Sequence, residues 1–406
     1  MKQKPSKFFI SGLILPLILI FIQCNSPSIK EVEKKIEDRF KQTVTKSKNS
    51  QSGTFLIHSD KLNLHIASAS GFIKKENQKI QTIPNQPFHI ASIGKIFTTV
   101  LIFQLIESGK LSENDTIEKI LSKDLLKNLF VVDGKDYSDQ VTVSHLLAHT
   151  SGIADYFESV DKKSKSVIDE IKKDPNRFWK PIDLLDFTRN NQKAISIPGK
   201  EFHYSDTGFI LLGLIIEKRM NKSFETALSE NIFKPIGMKK SYMHLRSEPL
   251  NASKLPISTM MLENIDVTNY KSISADWAGG GIISTTEDLF LFQKALLEGK
   301  LISISNYQAL KGKNVFMDGI RYGKGFMTVK FGEMSFFMPN APDLHGHSGL
   351  LGTQLFYSPE YDAHIILNIG STDDVGDSFE LMFWIMQDLK ELQKTKATAE
   401  KTDYAK

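Results

Sequence analysis

Strand-like runs cluster near the two ends of the chain, and this placement restricts the fold more than any other feature. Thr54–His58 and Leu62–Ile73 flank the turn Ser59-Asp60-Lys61, and β-branched and aromatic runs bounded by turn formers read as strands. Strand signals return late, at Phe326–Phe331, Met334–Met338, Gln354–Tyr357 and His364–Ile369. The stretch from about 110 to 285 carries helical patterns instead, with loops marked by Gly, Pro, Asn and charge clusters. Strands of one domain tend to join one sheet, so the simplest layout is an antiparallel sheet built from both chain ends. The predicted class is α+β, with helices flanking the sheet and a helical region inserted between its halves. A cleft between the two parts is the default site. Ahead of the first strand, Ile29, Val32, Ile36, Phe40 and Val44 recur near helical spacing within Ser28–Ser50, ahead of a polar linker at Lys46–Gly53. A helical tail is predicted over Ser378–Leu392, followed by a polar segment from Gln393 to Lys406.

Charge and cysteine content remove several function classes. The chain has 406 residues, 41% of them apolar, with 51 Lys+Arg against 47 Asp+Glu. It is too long for a disulfide-stapled miniprotein and too apolar for a disordered chain. Lys2, Lys4 and Lys7 precede the first acid, so the remainder is nearly neutral and offers no basic footprint for nucleic acid. Cys24 is the one cysteine, which leaves no disulfide framework, zinc ribbon or catalytic thiol in the body. The three lysines lead into Phe8–Ile22, an apolar run interrupted by Ser11, Gly12 and Pro16. A membrane span wants about 20 residues, whereas a charged start and a short apolar run match a secretory signal peptide. Cys24 just past that run resembles a bacterial lipoprotein signal, in which the thiol receives a diacylglycerol. Phe21 and Gln23 depart from the leucine and small residue usual at those positions. The expectation is an exported chain, periplasmic or at the surface, held to a membrane through a lipid on Cys24.

Ser92-Ile93-Gly94-Lys95 opens a dense apolar helix at residues 92–107, with Gly109 just past its end. A helix apolar nearly all round is buried. Residues three apart are neighbours on a helix, with Cβ atoms about 5–6 Å apart, so the Lys95 amine can reach the Ser92 hydroxyl. Desolvation lowers a lysine pKa and makes it a proton acceptor, and the helix N-terminus places positive potential where an oxyanion would form. The bland reading is an N-cap serine and a lysine lying along the helix surface. Ser159-Val160-Asp161-Lys162 repeats the spacing inside the charged run Glu158–Lys165 and reads as a solvated face.

Companion motifs separate the two copies. Leu146-Leu147-Ala148-His149-Thr150-Ser151-Gly152 follows first, then Ile197-Pro198-Gly199 leading to Tyr204-Ser205-Asp206-Thr207-Gly208. Ile232-Phe233-Lys234-Pro235-Ile236-Gly237-Met238, the segment Ala278–Leu289 with Gly279-Gly280-Gly281, and Gly346-His347-Ser348-Gly349 complete the series. In that order they resemble the serine β-lactamase and penicillin-binding-protein superfamily, in the branch of class C β-lactamases, DD-carboxypeptidases, esterases and D-aminopeptidases. The resemblance implies a β-lactamase/transpeptidase-like fold over roughly 51–390 and a serine hydrolase that works through an acyl-enzyme on an ester, amide or lactam. It implies that Ser92 is acylated and that Lys95 holds or shuttles its proton. Tyr204, as a phenolate, would accept that proton and later activate water. The backbone N–H groups of Ser92 and Leu350 would form the oxyanion hole, and Asp206, His347, Ser348 and Gly349 would contact substrate. No cofactor or metal is implied. The partner expected is a small-molecule or peptidoglycan-derived substrate. The organisation expected is a signal peptide over 1–23, then a lipid anchor, helix and linker over 24–50. A catalytic domain over 51–392 and a polar tail over 393–406 follow.

Two residues depart from the family pattern. Asp206 stands where an asparagine is usual, which replaces an amide donor by a carboxylate that could pair with Lys95 and keep it protonated. His347 stands where a lysine normally attracts a substrate carboxylate, and a neutral imidazole supplies little charge. The replacement at 347 favours hydrolysis without carboxylate recognition, and both weaken the case for a β-lactam substrate while leaving Ser92, Lys95 and Tyr204 intact. The two departures also motivate an alternative, a penicillin- or peptide-binding surface lipoprotein with impaired turnover. His145 and His149 read as structural groups of the loop before Gly152. His345 and His347, on one strand face, read as substrate or hydrogen-bonding groups, and Gly279-Gly280-Gly281 as a close approach of backbones beneath the cleft.

Overall fold

The computed structural model describes residues 27–75, 78–158, 165–334 and 340–403. Helix α1 (Ile29–Lys46) leads into strands β1 (Ser52–Ser59), β2 (Leu64–Lys75) and β3 (Gln78–Gln81). Helices α2 (Gly94–Glu107), α3 (Asp206–Met220) and α4 (Thr286–Leu297) mark the middle of the chain. Six strands follow: β4 (Asn314–Met317), β5 (Ile320–Tyr322), β6 (Met327–Val329), β7 (Leu344–Gly349), β8 (Thr353–Ser358) and β9 (Ala363–Asn368). Helix α5 (Val375–Asp403) comes last.

The nine strands form one antiparallel sheet in the order β4-β5-β6-β7-β8-β9-β1-β2-β3. The two ends of the chain meet where β1 pairs with β9, with Phe55 opposite Leu367 and Ile57 opposite Ile365. The architecture is α+β, as the distribution of strand signals predicts. Alternation along β1 divides the core. Phe55 and Ile57 join Val32, Ile36, Phe40 and Val44 of α1 and Leu389 of α5, whereas Leu56 faces the core around α2 and α3. Helix α1 starts at a capping box between Ser28 and Glu31, and its Lys35 and Arg39 both pair with Asp388, buried on α5. The helix predicted ahead of the first strand thus packs on the same sheet.

Three expectations about elements need correction. The strand predicted over Phe326–Phe331 is confined to Met327–Val329, and Phe331–Met334 is a helical turn whose Glu333 pairs with Arg321 and Lys330. The rest of the predicted Met334–Met338 strand lies outside the described residues. Helix α5 continues through Asp403, well into the predicted polar tail, because no proline and no glycine after Gly376 interrupts it. Short strands β3, β4 and β5 were invisible as periodicity, since three or four residues give too little alternation to read.

Helix α2 is buried on almost every side, with Phe97 stacked on Phe292 of α4 at 3.7 Å between ring centroids. Ser92 sits in a single 3-10 turn, Ala91–Ile93, just ahead of α2 rather than inside it. The glycine triplet does bring backbones together. A Cβ at Gly94 would lie 2.7 Å from Gly280 Cα, and one at Gly280 would lie 2.4 Å from the Ala91 carbonyl oxygen. Gly280→Ala is therefore expected to lower unfolding stability by about 1–3 kcal/mol, the usual cost of forcing extra volume into a packed interior. Urea titration checks this, and an unchanged midpoint would mean that the Ala91 turn can shift to accept a methyl group.

Candidate active site

Ser92 is presented by a turn that several hydrogen bonds hold in an unfavourable shape. Ala91 has φ +48°, in the left-handed region that a non-glycine residue adopts at a cost of about 1–3 kcal/mol. The turn is fixed by Ile90 N–H donating to Ile282 O at 3.0 Å and by Thr353 Oγ1–H donating to Ile90 O at 3.0 Å. Ala91 N–H also donates to His89 Nδ1 at 3.2 Å. One helical turn on, Lys95 is fully buried. Its Nζ lies 3.0 Å from Ser92 Oγ and 2.9 Å from Gly279 O, and it pairs directly with Asp206 Oδ1. An ammonium has three protons, and here it has three acceptors. Burial opposes the charge, but Asp206 and then Asp276 outweigh it and raise the Lys95 pKa above its ordinary value. The lowered pKa expected from desolvation alone is corrected accordingly: the carboxylate at position 206 keeps this amine protonated.

Tyr204 is held by His149 and Lys95, both in motifs of the sequence, and by Phe316 and Tyr322, which no motif marked. His149 stacks near it at 4.2 Å between ring centroids, Phe316 and Tyr322 lie at 5.4 and 5.7 Å, and Lys95 Nζ sits 5.0 Å from its ring centre. His149 Nδ1 accepts the Ser205 N–H at 3.0 Å, Ser205 Oγ–H donates to Ala154 O at 2.9 Å, and Asp155 Oδ1 accepts the Asp206 N–H at 3.1 Å. The loop that begins at His149 thus positions residues 204–206, and His149 is a structural group as predicted. Burial, then the Asp206 carboxylate, push the Tyr204 pKa well above its ordinary value, against an opposing hydrogen-bonding contact with Ser92. The phenolate expected from the sequence is corrected to a neutral phenol in the resting site.

Ser348, Gly349 and Leu350 line the same cavity as Ser92, Tyr204 and Asp206. A Cβ at Gly349 would come 2.7 Å from Ile90 O and 3.0 Å from Ala91 Cβ, so the end of β7 abuts the Ser92 turn. His347 does not contact the cavity. Its side chain is fully buried, with Nδ1 2.6 Å from Ser348 O and Nε2 3.1 Å from Tyr322 Oη. Only the imidazole can donate to a carbonyl, so Nδ1 carries the proton and Nε2 accepts from Tyr322. Burial, then Lys95, push its pKa down to about 3. Successive residues of a strand face opposite sides, so Ser348 and His347 cannot both meet a substrate. The substrate-contact role expected for His347 is replaced by support of Tyr322. His345 likewise hydrogen-bonds Thr328, at 3.1 Å.

The cavity has a volume of about 360 Å³. Its lining includes Asp155, Glu158 and Asp276 besides Asp206, and the sequence reading missed these three. Asp276 lies just ahead of the glycine triplet and Asp155 three residues past Gly152, which are the signals that could have found them. Burial, then Asp206, raise the Asp276 pKa to about 7 and the Asp155 pKa well above the carboxylate range. Ser159, Lys162 and Cys24 lie outside the described residues.

A family model described as Beta-lactamase matches residues 43–380. The chain belongs to the beta-lactamase family. It is 28% identical over 285 residues to penicillin-binding protein 4* of Bacillus subtilis, covering 65% of this chain and 56% of that one. The chain therefore spans a little over half the length of that relative. Two solved structures share the fold. D-amino acid amidase from Ochrobactrum anthropi SV3, complexed with L-phenylalanine amide, matches with a TM-score of 0.70 at 19% identity, over 88% of this chain and 99% of that one. EstCE1, a hydrolase with promiscuous acyltransferase activity, matches with a TM-score of 0.69 at 16% identity, over 89% and 99% of the two chains.

Within this beta-lactamase family site, the carboxylate at 206 has a measurable consequence. Asp206→Asn removes the largest influence holding the Lys95 proton, so the Lys95 pKa falls. Because asparagine cannot take the relayed proton, phosphonylation of Ser92 by a fluorophosphonate is expected to slow at neutral pH in this variant and to recover along a limb that follows loss of the Lys95 proton. An unchanged rate and profile would show that Asp206 does not receive the proton.

Proposed function

We propose that this beta-lactamase family member is a serine hydrolase that forms an acyl-enzyme with an ester or amide. The observation that carries this reading is the position of Lys95 Nζ, in contact with Ser92 Oγ on one side and Asp206 on the other. As Ser92 Oγ attacks the acyl carbon, its proton passes to Lys95 while Lys95 gives one of its own to Asp206. The oxyanion then balances the lost carboxylate charge. When the bond to the leaving group breaks, Tyr204 supplies its phenolic proton to that group. The resulting phenolate, beside the Lys95 ammonium, takes a proton from water in the second half. Water adds to the acyl carbon, Ser92 leaves, and its proton returns from Asp206 through Lys95. Donors for the oxyanion are the N–H groups of Ser92 and Leu350.

Among the described residues no lysine or arginine lines the cavity, which argues against substrates recognised by a carboxylate, such as penicillins. The amidase and esterase neighbours fit ester or amide chemistry better. Ser92→Ala is expected to remove fluorophosphonate labelling and to cut turnover of a chromogenic ester by at least about a thousandfold, while Ser159→Ala keeps both. Ester turnover unaffected by Ser92→Ala would overturn the proposal, and an ester-derived acyl group that accumulates on Ser92 without being hydrolysed would assign the binding role instead.

We also propose that the chain is exported and held to a membrane through a lipid on Cys24. Cys24→Ser is expected to move the protein from the detergent phase to the aqueous phase and to abolish labelling with a radioactive fatty acid. Unchanged partition would remove the idea.

A further inference from the structure

Three histidines stand on one rung of the sheet, and none of them lines the cavity at Ser92. His364 of β9, His58 of β1 and His65 of β2 are direct cross-strand partners in that order. Side chains directly opposite in an antiparallel pair share a face, with Cβ atoms about 4.5–5.5 Å apart. The three rings nevertheless divide. His364 Nδ1 lies 2.8 Å from Gln293 Oε1 of α4, and its ring centre is 6.1 Å from that of His58. His58 instead brings its Nδ1 to 3.1 Å from His65 Nδ1.

The other nitrogen of His58 is fixed as well. Its Nε2 lies 3.2 Å from Asp60 Oδ1. A carboxylate can only accept, so the proton of the neutral ring is on Nε2 and the Nδ1 lone pair faces His65. A histidine whose outer nitrogen donates to a carboxylate is oriented for a metal ion and is a stronger donor towards it. The frame around the pair is stiff. Phe290 packs edge-on against the His58 ring at 4.7 Å between ring centroids. The turn carrying Asp60 is tied by Leu62 N–H donating to Ser59 Oγ at 3.0 Å and by Ser59 Oγ–H donating to Tyr361 O at 2.6 Å. Asn63 N–H closes it on Asp60 O at 3.1 Å.

The spacing of the two Nδ1 atoms fits a shared ion. Nitrogens bound at about 2.0–2.1 Å to one metal stand about 2.9 Å apart at a right angle and about 3.3 Å apart at the tetrahedral angle. The observed 3.1 Å falls between the two. Without metal the same spacing serves a hydrogen bond from His65 Nδ1–H to His58 Nδ1. Metal binding then requires only that His65, which is exposed, carry its proton on Nε2 instead.

We propose that His58 and His65 form a two-imidazole chelate for a divalent transition-metal ion on the β1–β2 hairpin, with Asp60 as the orienting carboxylate. Among the described residues no three His, Cys, Asp or Glu side chains converge as metal ligands. The protein therefore supplies two nitrogens, and water or an outside ligand supplies the rest. Imidazole donors favour Cu²⁺ over Ni²⁺ and Zn²⁺, whereas Mg²⁺ and Ca²⁺ require oxygen ligands. An ion held only by the folded hairpin stabilises the fold by mass action. This site is independent of the serine-hydrolase reading and needs no turnover to be tested.

The test uses the full chain carrying Cys24→Ser, so that a free thiol does not compete for the metal. Calorimetric titration is expected to show Cu²⁺ binding more tightly than Ni²⁺ or Zn²⁺, with no uptake of Mg²⁺ or Ca²⁺ and a melting temperature raised by Cu²⁺. Pulsed electron paramagnetic resonance with one equivalent of Cu²⁺ is expected to count two coordinated imidazoles. His65→Ala should weaken Cu²⁺ binding at least about tenfold, because the second nitrogen no longer binds intramolecularly, and should leave one imidazole. Asp60→Asn should weaken it about tenfold while both imidazoles remain. Circular dichroism and the melting temperature without metal check that both exposed-site variants fold, and His65→Gln replaces His65→Ala if that variant does not. Absence of Cu²⁺ binding, binding that the His65 variant leaves unchanged, or a single imidazole in the unsubstituted site overturns the proposal.

Discussion

The structure around the site depends on one ion pair, Lys95 with Asp206, enclosed between the buried, largely apolar parts of two helices. Lys95 comes from α2 and Asp206 from the first turn of α3, 111 residues later. Neither helix shows a polar face, so each charge had to find its partner on the other. Pairs of this kind add little net stability, since taking two charges out of water costs about what their attraction returns, but removing one partner typically costs about 3–5 kcal/mol. The pair therefore acts on geometry. It holds the Lys95 ammonium within reach of Ser92 and locks the start of α3, and with it Tyr204, against the nucleophile turn. Because the folded state raises the Lys95 pKa above its ordinary 10.5, the pairing supports the fold fully below that pH. The support is lost as pH climbs through the folded value.

The ion pair also explains how a resting site whose amine and phenol are both protonated can still move protons. Lys95 is charged and Tyr204 is neutral, so neither is a base at the outset. A transfer from Ser92 to Asp206 through Lys95 leaves the summed charge unchanged as the oxyanion forms. In a low-dielectric enclosure, steps that conserve charge avoid the large solvation penalties of steps that create it. An asparagine at 206 could hold a substrate carbonyl but could not receive that proton.

What the sequence revealed follows from the range of each interaction. Helical spacing linked Ser92 to Lys95, and the apolar repeat of α1 predicted its buried face, Val32, Ile36, Phe40 and Val44, residue by residue. Long strands such as β1 and β2 were legible because eight to twelve residues suffice for alternation. The acids of the cavity were not legible. Asp155 and Asp276 look like ordinary loop acids in the chain, and only the tertiary fold buries them beside Asp206. His347 was misread for a different reason. The motif marked the right strand, but the parity of that strand turns Ser348 towards the cavity and His347 towards Tyr322.

Strain and burial in the site are offset elsewhere in the fold. The left-handed Ala91, the buried His89 Nε2 without a partner among the described residues and the crowded carboxylates each cost stability, and all lie within the wall of one cavity. The helices that carry the nucleophile and the acid supply the opposing term. Eleven of the fourteen residues of α2 are buried, and so are ten of the fifteen in α3, with each large apolar side chain contributing about 1.5–3 kcal/mol. This arrangement explains why α2 and α3 are hydrophobic all round rather than amphipathic. A helix with one wet face could shift to relax Ala91 or to let water reach Lys95. A helix enclosed on every side can do neither, so the geometry at Ser92 is set by the packing of residues far from it.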